Sequence, residues 1–186
     1  MATAPKPLDW AAYVKLPETK RRYDIVDGVL RYMTPSPGWF HQTVSADLLH
    51  ALLQHVKRQR LGEVRTAPLD VIISRGPLRV RQPDLLFVSR ARLEEVVRDD
   101  RVQAGPDLVI EILSPGNTRK HVEQKLRDYA AAGVRETWIL EGKGKTITVL
   151  APVGGEFRET AVYRPGQRLR SRVLPKLRLD LGKVFR

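Results

Sequence analysis

Cysteine is missing from this chain of 186 residues. Its absence excludes a disulfide framework, a cysteine-based zinc site and a thiol nucleophile. Long apolar runs are missing too, so no stretch is expected to span a bilayer. The first twenty residues hold Lys6, Asp9, Lys15 and three prolines and lack the apolar core of a signal peptide, so the expected location is cytoplasmic and reducing. Acidic side chains are scarce beside basic ones, 21 Asp and Glu against 33 Lys and Arg, for a formal charge of +12. That excess favours a polyanionic partner, nucleic acid first among them; the plainer reading is an arginine-rich solvated surface. There is no internal repeat or low-complexity tract. The length suits one domain, residues 1–186, with a core over about 36–141, an N-terminal helix and hairpin over 8–33, and C-terminal strands over 146–181.

What is present is organised around residues 82–125. Asp84-Leu85-Leu86-Phe87-Val88 and Leu108-Val109-Ile110-Glu111-Ile112-Leu113 read as strands, each bearing one carboxylate. Asp84 is expected inside its strand, the alternative being a turn aspartate after Pro83. A carboxylate in a strand apolar on both faces costs several kcal/mol unless it is paired, protonated or metal-bound, so Glu111 demands a partner. The alternative is a buried ion pair with an arginine. Thr118 and Gly133 predict the ends of the next helix, with Val122, Leu126 and Tyr129 as its core stripe. Lys125 lies roughly 60° from Val122 on that helix, so it borders the buried face and can aim its ammonium at Glu111 or Asp84. Two acids and one lysine suit binding of a hard divalent cation and attack on a phosphate ester.

Around this unit, a short helix is expected over 8–16 with Trp10, Tyr13 and Leu16 as anchors. Asp27-Gly28 predicts a tight hairpin between strands over 23–26 and 29–33. Ser36-Pro37 predicts the start of a helix reaching Arg60, with Val44, Leu48, Leu52 and Val56 inward, His55 among the charged residues at its end, and Gly62 at its exit. Strands are expected over 64–73 and 78–88, a charged helix over 90–101 with Val97 inward, and strands over 136–141, 146–150, 157–163 and 169–174. Leu177, Leu179 and Leu181 are expected to pack back onto the body. The strand, helix, strand unit over 108–141 implies parallel pairing. His41 can reach the site or a phosphate, or be structural. Lys57, Arg58 and Arg60 are candidate backbone contacts for nucleic acid, or complements of the helix dipole. Asp70 is a candidate outer contact, or an acid paired with arginine.

The order of these pieces resembles the PD-(D/E)xK nuclease superfamily and, within it, the Uma-type (DUF820-like) restriction endonuclease family. The matching residues are Tyr23-Asp24-Ile25-Val26-Asp27-Gly28, Pro35-Ser36-Pro37 leading to His41, Gln82-Pro83-Asp84-Leu85, residues 106–115 around Glu111, Lys125 with Tyr129, and Gly133-Val134-Arg135-Glu136 leading to Trp138. The resemblance implies an α/β (α+β) fold with a restriction-endonuclease-like mixed sheet flanked by helices. It implies an Mg²⁺- or Mn²⁺-dependent endonuclease acting on nucleic acid, with DNA the leading candidate and RNA left open, as a homodimer or higher homo-oligomer. Asp84, Glu111 and the carbonyl of Ile112 would be the metal ligands, and Asp84, Glu111 and Lys125 the catalytic set, the lysine having moved from position 113, where Leu113 stands. His41, Asp70 and Tyr129 would be accessory, and Lys57, Arg58, Arg60, Arg119 and Lys120 nucleic-acid contacts. Val29 stands where the family commonly has a glutamate, and His121 where it has an aspartate. The alternative function is a catalytically inactive nucleic-acid-binding member of the same fold.

Overall fold

The computed structural model describes residues 6–33 and 37–186. Helix α1 (Trp10–Tyr13) is capped by the Asp9 side chain and is shorter than expected: Tyr13 is buried, but Leu16 is exposed beyond its end. Strands β1 (Tyr23–Val26) and β2 (Val29–Tyr32) form the expected hairpin, with Asp27 and Gly28 both at positive φ, 52° and 77°.

Helix α2 (Trp39–Gln59) starts after Gly38, which provides no side-chain cap; Ser36, the expected cap, lies outside the described residues. Val44, Leu48, Leu52 and Val56 are buried as the periodicity predicts. His55 is buried with them, its Nε2 3.1 Å from the Pro175 carbonyl, because the C-terminal segment folds over that end of the helix. The helix closes on Arg60 in the left-handed region, not on Gly62. Gly62 instead opens the next strand with φ 152°, where a Cβ would fall 2.1 Å from the Val88 carbonyl oxygen.

Each of the next two expected strands is two. Residues 64–73 divide into β3 (Gly62–Thr66) and β4 (Val71–Arg75), and residues 78–88 into β5 (Leu78–Arg81) and β6 (Leu85–Ser89). Pro68 and Pro83 sit at the breaks, where a residue without an N–H cannot continue a ladder. β3 pairs with β6 and β4 with β5, so one long hairpin is shared between two sheets. The helix expected over 90–101 is instead a 3₁₀ turn, a four-residue α3 (Leu93–Val96) and a minimal hairpin of β7 (Val97–Arg98) and β8 (Arg101–Val102). Asp99 and Asp100 take positive φ at its tip and Val97 is exposed; short polar side chains that tolerate this conformation favour a turn over a helix.

Strand β9 (Leu108–Leu113), helix α4 (Arg119–Ala132) and strand β10 (Glu136–Glu141) follow as predicted, with Thr118 capping α4, Gly133 at φ 83° closing it, and β9 and β10 parallel. Strands β11 (Thr146–Val153) and β12 (Glu156–Tyr163) complete the antiparallel edge. The strand expected over 169–174 does not form. There the Ser171 hydroxyl accepts from the amides of Val173 and Leu174, a local alternative to a ladder, and the Glu136 carboxylate takes the Arg172 amide. Leu179, α5 (Leu181–Val184) and Phe185 pack back into the core, as expected of the tail.

The sheet orders are β2-β1-β5-β4-β8-β7 and β12-β11-β10-β9-β6-β3. Period-two alternation decides which side of the second sheet each β9 residue serves. Leu108, Ile110 and Ile112 pack with Val44, Leu48, Leu52 and Val56 of α2. Val109 faces the other way and packs with Tyr129 of α4. Helix α4 touches β12 of the second sheet and β4 of the first, so it lies between them. No described helix is long and apolar enough to cross a membrane.

Candidate active site

Asp84 sits at the break between β5 and β6, one residue ahead of the strand in which it was expected. The chain leaves one sheet for the other here, which frees the carboxylate from the pleat and turns it toward the end of β9. Its Oδ2 accepts the Ile112 amide at 2.7 Å and lies 3.3 Å from His41 Nε2, and its Oδ1 accepts from Arg22 Nη1 at 2.5 Å. Burial alone would raise its pKa. The His41 hydrogen bond, the charges of Arg22 and His41 and the Ile112 amide outweigh that and hold it at about 2.

Glu111 shares the face of β9 that meets α4. Lys125 Nζ donates to both its oxygens at 2.9 Å, and the Tyr129 hydroxyl donates to Oε1. Among the described residues no arginine takes this carboxylate. Lys125 and Tyr129 are four residues apart and therefore on one side of the helix. The helix face pressed inward is Lys125, Asp128 and Tyr129, whereas Val122 and Leu126, expected as the core stripe, are only half-buried. The reason is that α4 covers charged groups beside the apolar patch around Val109. Burial pushes the Glu111 carboxyl up, the nearby Asp84 charge adds to this, and Lys125 and Tyr129 oppose it. Burial and Glu111 together push the Tyr129 hydroxyl well above its ordinary value, so it stays a donor.

A second layer of ions lies beneath. Arg81, fully buried, donates from Nη1 to Asp24 and from Nε and Nη2 to Asp128. His121 Nε2 lies 3.9 Å from Asp24, with its pKa lowered by burial and by Lys125. A recess of about 10 Å³, close to the space one water molecule needs, is bounded by Glu111, Asn117, His121, Lys125 and Tyr129.

Of the sequence-predicted residues, Asp84, Glu111, Lys125, Ile112, His41 and Tyr129 come together. In an extended strand a residue's N–H and C=O lie on the same edge, so the Ile112 carbonyl shares the edge from which its amide reaches Asp84. Asp70 does not join them. It accepts from the hydroxyls of Tyr13 and Tyr23 and from Gln82 Nε2, on the wall of a separate cleft of about 460 Å³, and no arginine among the described residues pairs with it. Lys57, Arg58 and Arg60 are exposed at the far end of α2, about 24 Å along the helix from His41 at 1.5 Å per residue. Arg119 and Lys120 are exposed in the first turn of α4, only about 9 Å or less along the axis from Lys125. Arg22, Asp24, Arg81 and Asp128 were missed. Charged residues within the apolar strands 23–26 and 78–81 were a usable signal for Asp24 and Arg81. Arg22, one of three consecutive basic residues, carried none.

Among the described residues no three His, Asp or Glu side chains form a ready-made metal cage. Two neighbouring buried carboxylates and a strand-edge carbonyl are nonetheless the hard oxygen donors that Mg²⁺ prefers, and Mg²⁺ keeps several waters of its own. The donor chemistry therefore fits such an ion.

The sequence pattern of a family described as "Putative restriction endonuclease" matches residues 10–182. The chain belongs to the Uma2 family. Uma2 membership spans both sheets and every residue of the site. The fold also matches a crystal structure described as "a putative nuclease belonging to DUF820 from Anabaena variabilis ATCC 29413", with a TM-score of 0.79 and 22% identity over 96% of this chain and 98% of that one. At that identity the likeness shows a shared α+β fold. No curated protein matches the chain significantly.

Proposed function

We propose that the protein is a divalent-metal-dependent endonuclease that hydrolyses phosphodiester bonds of nucleic acid, with DNA as its substrate. The observation that carries this reading is the grip of Lys125 on both oxygens of Glu111, beside a second buried carboxylate, Asp84, across the strand end. Asp84, Glu111 and the Ile112 carbonyl would hold Mg²⁺ or Mn²⁺, which when bound supplies a more acidic water and positive charge at the scissile phosphate. Lys125 positions the attacking water or meets the charge that develops on the phosphate. Tyr129 fixes Glu111 through its hydroxyl, and His41 fixes Asp84. The charge of +12 supports a polyanionic substrate. Cutting two strands calls for two centres, so we take a homodimer in the cytoplasm as the working form.

Mn²⁺ titrated into the protein with a panel of single- and double-stranded DNA and RNA tests this. Cleavage that requires the ion, disappears in Asp84→Asn and falls steeply in Lys125→Met, with circular dichroism unchanged, is the expected result. A second reading, a nucleic-acid-binding protein without activity, is favoured by one observation: Arg22 and Lys125 already neutralise the two carboxylates. Retained binding without cleavage at any Mg²⁺ or Mn²⁺ concentration would establish it.

A further inference from the structure

Arg22 sits on the Asp84 oxygen that is more open to a cation. The Oδ2 oxygen already receives the Ile112 amide at 2.7 Å with His41 Nε2 at 3.3 Å, whereas Oδ1 carries Arg22 Nη1, at 2.5 Å. The guanidinium is otherwise incompletely used. Nη2 donates to the Gln82 carbonyl at 2.6 Å, while Nε, buried, has no partner among the described residues. An unpaired buried N–H is costly, so the guanidinium is not fully satisfied by its place on Asp84. The backbone of Arg22 is held, its carbonyl accepting the Met33 amide, but it follows the exposed segment 14–21 and its side chain keeps 17% exposure. The side chain can therefore turn about a fixed anchor.

We propose that Arg22 is an exchangeable occupant of the cation position at Asp84: the metal displaces its guanidinium, which then turns its planar fork onto a phosphate of the substrate. This rests on Asp84 and Glu111 being the cation ligands. A guanidinium and a divalent ion on the same carboxylate oxygen repel in a site this buried, so one leaves. Five N–H donors in a rigid fork match phosphate oxygens as well as they match a carboxylate, which makes the released group a phosphate contact. Arg22 thus neutralises Asp84 without metal and ties phosphate binding to metal binding.

Calorimetric Mn²⁺ titrations of the wild type, Arg22→Met, Arg22→Lys and Glu111→Gln test this, alongside binding of a short DNA duplex with and without Ca²⁺. Arg22→Met is expected to bind Mn²⁺ about tenfold more tightly, the order set by removing one charge-assisted contact. Its DNA binding should weaken in Ca²⁺ and stay unchanged without metal. Arg22→Lys, which keeps the charge and most of the stem, should show the same two signs with smaller factors, and it serves if the methionine variant does not fold. Unchanged or weaker Mn²⁺ binding in both Arg22 variants, with Glu111→Gln weakening it, overturns the exchange and leaves the metal site standing. Unchanged Mn²⁺ binding in Glu111→Gln overturns the metal site, and the exchange with it.

Discussion

Arg81 and Asp128 are locked together in the interior: Nε and Nη2 of the guanidinium both donate to Asp128 Oδ2, at 2.7 and 2.5 Å. Arg81 also holds Asp24 at 2.8 Å, and all three side chains are buried. Arg81→Met leaves Asp24 without its guanidinium and Asp128 with Arg79 alone, and should cost about 3–5 kcal/mol. Urea unfolding measures this. Adding Asp24→Asn and Asp128→Asn to that variant should recover much of the loss, because the buried charges go with their partner.

Lys125→Met should lower kcat by about 10²- to 10³-fold, the usual effect of removing one preorganised electrostatic group, in steady-state cleavage of a labelled duplex. Lys125→Arg should do little better. The guanidinium is bulkier than the ammonium it replaces, and the recess beside Lys125 has room for about one water molecule.

The two carboxylates pull acid stability in opposite directions. The Asp84 carboxyl, held at about 2 in the fold against about 3.9 unfolded, contributes about 2 kcal/mol that is present above pH ~4 and lost as pH falls toward 2. Glu111 is raised by burial, so the fold favours its protonated form, and its share of stability declines as pH climbs from the ordinary glutamate range toward the raised value. Urea midpoints between pH 2 and 7 should show the acid limb shrinking in Asp84→Asn. In Glu111→Gln the decline toward neutrality should be missing from the profile.

His55 adds a separate limb. Burial lowers its pKa, with the Pro175 carbonyl opposing. Protons therefore favour the unfolded chain below about pH 6.5, and stability drops from there toward the depressed folded value. His55→Gln should flatten the profile between pH 7 and 5 in thermal melts.

The two basic groups should differ in salt-dependent DNA binding. Replacing Arg119 and Lys120 with Ala should reduce the slope of log K against log salt by about 2, since each removed phosphate contact lowers it by about 0.9. Arg119 pairs with Glu123 but is 93% exposed, so that pair competes weakly. Replacing Lys57, Arg58 and Arg60 should leave the slope unchanged; a reduced slope would extend the DNA path along α2.

Residues whose role follows from local pattern were legible in the sequence. Asp27-Gly28 announced its turn, Thr118 and Gly133 bounded α4, and a lone glutamate in Leu108–Leu113 signalled a site because nothing else there is polar. What escaped depends on distant pairing. The division of 78–88 between two sheets is set by which strand meets each half, and Pro83 shows only that a ladder stops. The inward face of α4 was misplaced because apolar periodicity selects Val122 and Leu126, whereas the surface facing the helix is charged and selects Lys125 and Asp128. Arg22 reaches Asp84 across 62 positions of sequence, a contact no local pattern encodes.

Helix α4 carries Lys125 and Asp128 on one side, gripping a glutamate in one sheet and two arginines in the other. Sliding this rod by a single turn, about 5.4 Å, would break both attachments together. The centre consequently has no half-built form: a molecule in which the lysine is seated is one in which the two sheets are already clamped.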